Sequence, residues 1–154
     1  MNRLINLPFR YRLWRPSHLR LIGADVFGRA HGQPHSHVTH LTATIDWLCR
    51  AQNQRHGLPD AGGVSAGWSF EDGWLPGYPE TSGYIVETFL AAARVLERPD
   101  LIARAHRILD WECALQCPDG AFPGHFGEPG SKPVIFNTGQ IMHGMIAGYL
   151  ELGR

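Results

Sequence analysis

Two eight-residue stretches decide how this chain folds: Ile45-Asp46-Trp47-Leu48-Cys49-Arg50-Ala51-Gln52 and Leu109-Asp110-Trp111-Glu112-Cys113-Ala114-Leu115-Gln116. They agree at Asp, Trp, Cys and Gln, and both lie in segments whose apolar residues recur with helical spacing. Around the first, Val38, Leu41, Ile45 and Leu48 share one face, which predicts a helix over about Val38 to Gln52. Around the second, Leu101, Ala105, Ile108 and Leu115 do the same from Pro99 onward, and Cys117-Pro118-Asp119-Gly120 ends the helix. Each helix is followed by another. One places Ile85, Phe89, Ala92 and Leu96 on a stripe between the Tyr78-Pro79-Glu80-Thr81 turn and Pro99; the other stacks Ile141, Met145 and Tyr149 between about Thr138 and Gly153. These partners align as well, Ser82-Gly83-Tyr84-Ile85 with Thr138-Gly139-Gln140-Ile141. The unit is a helical hairpin of ~60 residues seen twice, the design of solenoids and toroids. No stretch alternates as a strand would. The expected fold class is all-α, with a hairpin-repeat domain over 38–154 and an irregular N-terminal lead-in over 1–37.

Composition narrows the function classes. Lys+Arg 14 balance Asp+Glu 14, so the basic footprint of a nucleic-acid or anionic-membrane binder is absent. No apolar run approaches the ~18 to 20 residues that span a bilayer. Three cysteines, an odd number, point to reduced thiols and a cytoplasmic setting. Gly 18 and Pro 11 concentrate in two long interhelical loops that also carry Trp68, Phe70, Trp74, Tyr78, Phe122 and Phe126. Disordered linkers are poor in aromatics, so both loops are expected to be ordered covers of a surface or cavity.

Trp111 with Gln116-Cys117-Pro118-Asp119-Gly120-Ala121-Phe122 is similar to the Q-x-x-D-G-x-F/W turn in repeats of terpenoid cyclases and protein prenyltransferases. A similar turn leads into an inner helix in six-hairpin glycosidases, sugar epimerases and polysaccharide lyases. The resemblance covers about Val38 to Gly153 and implies an α/α toroid. Two hairpins make only part of such a ring, and the open ends of an incomplete ring imply homo-oligomerisation, most simply a two-fold dimer. The chain departs from these families in its chemistry. No D-x-D-D acid motif occurs, and Cys49 and Cys113 fall inside the repeated helix rather than at a zinc-binding spacing.

The candidate functional residues lie in the loops and at the helix starts they feed. Glu71-Asp72-Gly73-Trp74 sets acids beside aromatics, which suits a sugar whose apolar face stacks on rings while carboxylates bind hydroxyls or move protons. Glu80, Asp72 and His125 are the candidate acid/base groups. Trp68, Trp74, Tyr78, Asp119, Phe122, Asn137 and Gln140 are the candidate substrate contacts. Other roles compete: Thr81, Ser82, Asn137 and Thr138 are natural N-caps, and Asp119 suits an Asp-Gly turn. His31, His35, His37 and His40 read as a solvated lead-in, so no metal is expected and no cofactor is implied. The expected function is carbohydrate-active acid/base chemistry on a sugar or uronate, as glycoside hydrolase, lyase or epimerase. The alternatives are a terpenoid or prenyl-ligand enzyme and a non-catalytic binding or scaffold module. A small-molecule or oligosaccharide ligand and a second copy of the chain are the expected partners.

Overall fold

The computed structural model describes residues 6–28, 35–128 and 130–153; His31 of the histidine cluster lies outside them. The described chain is mostly helical: α1 (Leu7–Arg10), α2 (Pro16–Val26), α3 (His37–Asn53), α4 (Pro79–Val95), α5 (Asp100–Leu115) and α6 (Ile135–Leu152). Two helices thus stand in the stretch read as an irregular lead-in. Two short strands, β1 (Trp68–Ser69) and β2 (Gly73–Trp74), pair antiparallel within the first long loop, where no strand was expected. Two residues per strand are too few for an alternation to be visible in sequence.

Local chemistry fixes the helix ends. The Ser36 hydroxyl caps α3 by accepting from the Thr39 N–H at 3.2 Å. Pro79 occupies the first turn of α4, where its missing N–H is no loss. Gly153 closes α6 in the left-handed conformation.

Pairwise contacts give the directions. On α4 and α6, Gly83 sits beside Ile141 and Arg94 pairs with Glu151, so the two helices run parallel. Arg98, just before α5, donates to Asp46 of α3 at 2.9 Å, and Arg104 of α5 donates to the Gln52 side chain near the end of α3 at 3.0 Å, so these two helices are parallel too. The chain reverses between α4 and α5, and Leu109 of α5 packs on Gly148 of α6. The starts of α4 and α6 therefore share one end of the molecule with the ends of α3 and α5, and both long loops lie there.

The core fills the space between α4, α5 and α6, with Phe89, Leu101, Ile108 and Ile141 fully buried, and takes Ile45 and Cys49 from α3. Where α4 crosses α6 there is no room for side chains. A Cβ on Gly83 would stand 2.6 Å from the Ile141 Cα, and one on Gly144 would strike the Gly83 carbonyl oxygen. Among the described residues no helix is long and apolar enough to cross a membrane.

Candidate functional site

The first long loop is a β-ladder that ends at the start of α4 and meets α3 through Trp74. The Tyr78 N–H donates to the Val64 carbonyl, Ala66 N–H to Pro76, and Leu75 N–H to Gly67, before β1 and β2 pair Trp68 with Trp74. At ~3.3 Å per residue the tip stands about 15 Å from the start of α4. Asp72 is at that tip. It is exposed and bound to its own turn, its N–H donating to the Ser69 hydroxyl at 2.9 Å, which in turn donates to its carboxylate at 3.2 Å. Asp72 and Glu80 are thus held at opposite ends of a rigid ladder.

The aromatic candidates on the ladder are taken up by neighbouring elements. Trp68 and Phe70 hold the buried ring of His18 from α2, with centroids at 5.3 and 5.0 Å, and His18 Nδ1 bonds the Tyr11 carbonyl at 2.9 Å. Trp74 meets Trp47 of α3 at 5.6 Å. This is how the N-terminal helices and α3 are attached, a packing role that composition alone does not separate from ligand stacking.

A different set gathers where α4 and α6 begin. Tyr78 meets Phe126 of the second loop edge to face at 5.3 Å, and Gly127 lies between Pro79 of α4 and Leu115 of α5. Glu80, half-buried, stands in the first turn of α4, and its charge adds to burial in raising the Tyr84 phenol above its ordinary pKa. His125 precedes Phe126, exposed, in the left-handed region at φ 53°, which histidine tolerates better than most non-glycine residues. Phe122 is buried, and its N–H donates to the Thr138 hydroxyl at 3.0 Å. Asp119 accepts from the Ala121 N–H at 3.1 Å, closing the Asp-Gly turn.

None of the expected caps is a cap. Ser82 accepts from Val64 N–H at 2.8 Å, Thr81 donates to the Tyr78 carbonyl at 3.3 Å, and both helices begin earlier, without a side-chain cap. Two helix starts, each carrying partial positive charge, therefore sit side by side with no side chain capping them. Asn137, in the first turn of α6, is buried, and its side-chain nitrogen has no hydrogen-bond partner among the described residues. Gln140 follows one turn on, half-buried.

One group that the sequence reading passed over is Glu112. It is fully buried in α5, and neither carboxyl oxygen has a hydrogen-bond partner among the described residues. Burial pushes its pKa up to about 9, so the carboxyl is neutral at physiological pH. A signal was present: Glu112 stands where the first copy of the repeat has Leu48.

Among the described residues no three His, Cys, Asp or Glu side chains converge as around a metal. Set against known proteins, the chain matches no family model, no curated protein and no solved structure.

Proposed function

We propose that the protein is an incomplete α/α toroid directed at carbohydrate, and that the shared end of α4 and α6 is where a sugar or uronate binds. The observation that carries this reading is the pair of parallel, uncapped helix starts beside the Tyr78–Phe126 pair. Unpaired N–H groups and the helix dipoles favour a carboxylate or hydroxyl oxygen, while the rings suit an apolar sugar face. Glu80 is the acid/base group of this reading, with His125 on the neighbouring loop as its partner. Binding without catalysis is the second reading. It is favoured by the position of Asp72, because the second carboxylate that glycoside chemistry uses stands at the far end of the ladder.

The test is calorimetric titration of the whole chain with glucuronate, neutral oligosaccharides and farnesyl diphosphate, with analysis of the sugars for products. Sugar binding weakened at least tenfold by Glu80→Gln supports the reading. Turnover separates the enzyme from the binding module. Binding of farnesyl diphosphate alone, or sugar binding indifferent to Glu80, overturns it.

The same reading includes a second copy of the chain. Ile135, Gly139, Met142, Ile146 and Tyr149 follow the alternating four-three spacing of a helix–helix seam along α6. Their large side chains are exposed, Ile135 by 94% and Tyr149 by 69%. Residues 133–150 hold no Asp, Glu, Lys or Arg, so two such seams meet without like-charge repulsion. Sedimentation equilibrium is expected to give a dimer that Met142→Lys dissociates.

A further inference from the structure

The zero net charge of the whole chain hides a local imbalance. Residues 1–29 hold six Arg and one Asp, so the remainder of the chain carries the balancing excess of acids. Each of these cations is an arginine, whose planar fork pairs with phosphate through two hydrogen bonds at once, where a lysine offers a point charge.

The described part of this segment, α1 and α2, has almost no interior. α1 buries no residue and α2 buries only His18, the ring clasped by Trp68 and Phe70 of the ladder. One ion pair adds to that clasp, Arg10 donating to Glu71 at 2.8 Å. Large apolar side chains are left in solvent. Phe9 is 71% and Trp14 59% exposed, and their rings pair at 5.8 Å just ahead of α2. On α2, Leu19, Ile22 and Val26 recur at helical spacing, with Leu19 and Val26 more than half exposed. Arg15, the N-cap, stands one turn before Leu19 on that stripe, and Arg20 follows Leu19, both arginines exposed; Arg12 is half-buried. Among the described residues none of Arg12, Arg15 and Arg20 pairs with a carboxylate.

Three kinds of occupant fit rings and aliphatic chains interleaved with arginines, and charge selects among them. A second copy docked by the same face would set arginine against arginine. A nucleic acid would use the arginines and leave Leu19 and Val26 in water. A bilayer that holds anionic phospholipid uses both, with guanidinium groups at the phosphates, rings at the headgroup level and aliphatic chains at the acyl boundary. We infer that α1 and α2 form a docking surface for an anionic membrane, on which they lie without crossing it, since no described helix is long and apolar enough to cross. The inference stands apart from the Glu80 reading, because the ladder separates these helices from the start of α4 and no sugar enters the test.

Flotation of the full chain with vesicles of phosphatidylcholine alone, and of phosphatidylcholine with about 30% phosphatidylglycerol, tests it. The expected result is binding at least tenfold tighter to the anionic vesicles and weakened by 0.5 M NaCl. Arg12→Gln/Arg15→Gln/Arg20→Gln and Phe9→Ala/Trp14→Ala each weaken it at least tenfold. Arg50→Gln/Arg107→Gln, which removes two exposed arginines elsewhere, and Glu80→Gln leave it unchanged. Arg20→Glu alone, at an exposed position, weakens it at least threefold and keeps the test readable if the triple variant fails to fold. No flotation with anionic vesicles, binding as tight to neutral ones or indifferent to salt, or binding that survives either the arginine or the aromatic variant overturns the inference. Tighter binding to a 20-base-pair DNA duplex assigns the arginines to nucleic acid and overturns it. Self-association that Phe9→Ala/Trp14→Ala abolishes, in a chain that ignores vesicles, assigns the face to a second copy and overturns it as well.

Discussion

The repeated helices α3 and α5 carry the same four residues in opposite surroundings. Trp47 of α3 is 40% exposed, whereas Trp111 of α5 is 7% exposed. Cys49 and Gln52 are buried in α3, while Cys113 of α5 and Gln116 at its C-cap are exposed. The half-buried Leu48 answers to the fully buried Glu112. The difference is one of facing as well as of neighbours. α3 meets the body on one side only and turns Ile45, Cys49 and Gln52 inward, whereas α5 is packed by α4 and α6 and turns Ile108, Leu109, Trp111 and Glu112 inward, so the Cys and Gln positions that face in on α3 face out on α5. A motif that repeats in sequence need not repeat in burial, because burial is a property of position in the stack.

The largest effects are expected where that contrast is greatest. Trp111→Ala removes a ring that packs on Gly63 and Gly77 and is expected to cost about 3–5 kcal/mol in urea denaturation. Trp47→Ala, at a half-open site, is expected to cost about 1 kcal/mol. Equal losses would break the comparison. Next comes Glu112→Leu, which copies the first repeat into the second. It is expected to stabilise the protein by about 1–4 kcal/mol near pH 8, since an apolar side chain replaces a buried carboxyl without partners. The pH dependence has a definite sign. The native carboxyl holds its proton up to about pH 9, whereas the unfolded one loses it near 4.5, so the native state binds more protons in between. The contribution of Glu112 to stability is therefore greatest at the acid end of that window and falls across it by up to about 1.4 kcal/mol per pH unit. Glu112→Leu removes this slope, which denaturation curves from pH 5 to 9 measure.

Much of the helical layout was legible, for particular reasons. The stripes at Ile85–Phe89–Ala92 and Leu101–Ala105–Ile108 placed α4 and α5, because their apolar faces are wide and Pro99 separates them. The start of α6 was not legible. Val134, Ile135 and Phe136 give no capping signal, and Thr138, the residue that resembles a cap, spends its hydroxyl on Phe122. At the candidate site, the helix directions bring Tyr78, Phe126 and Glu80 to one end. The sequence did not separate Asp72 from them, because the ladder that holds it at a distance is built from backbone hydrogen bonds between short strands. The seam between α3 and α5 was hidden for a similar reason. Its two sides lie more than fifty residues apart, and the bonds of Arg98 and Arg104 that join them are long-range.

A smaller difference is expected at the matched glutamines. Gln52→Ala leaves the Gly62 and Arg104 carbonyls without their donor and frees one prong of Arg104, a loss of about 1–3 kcal/mol. Gln116→Ala gives up one exposed bond to the Gly120 carbonyl and is expected to change stability by less than about 0.5 kcal/mol.

The smallest expected change in stability, and the most direct readout of the contrast, comes from the matched cysteines. Cys113 is exposed and Cys49 buried, and burial raises the Cys49 thiol above its ordinary pKa, with Arg104 and Arg98 opposing the shift. The thiolate is the reacting form, so Cys49 is protected twice, by access and by protonation. Ellman's reagent at pH 8 is expected to modify Cys113 rapidly in the native protein and Cys49 only as fast as the structure opens, with Cys113→Ser stability-neutral within about 0.5 kcal/mol. Substituting each cysteine in turn assigns the fast and slow phases. A fast phase that survives Cys113→Ser and disappears with Cys49→Ser would mean that α3 detaches from α5 far more readily than its Arg104 and Arg98 bonds imply.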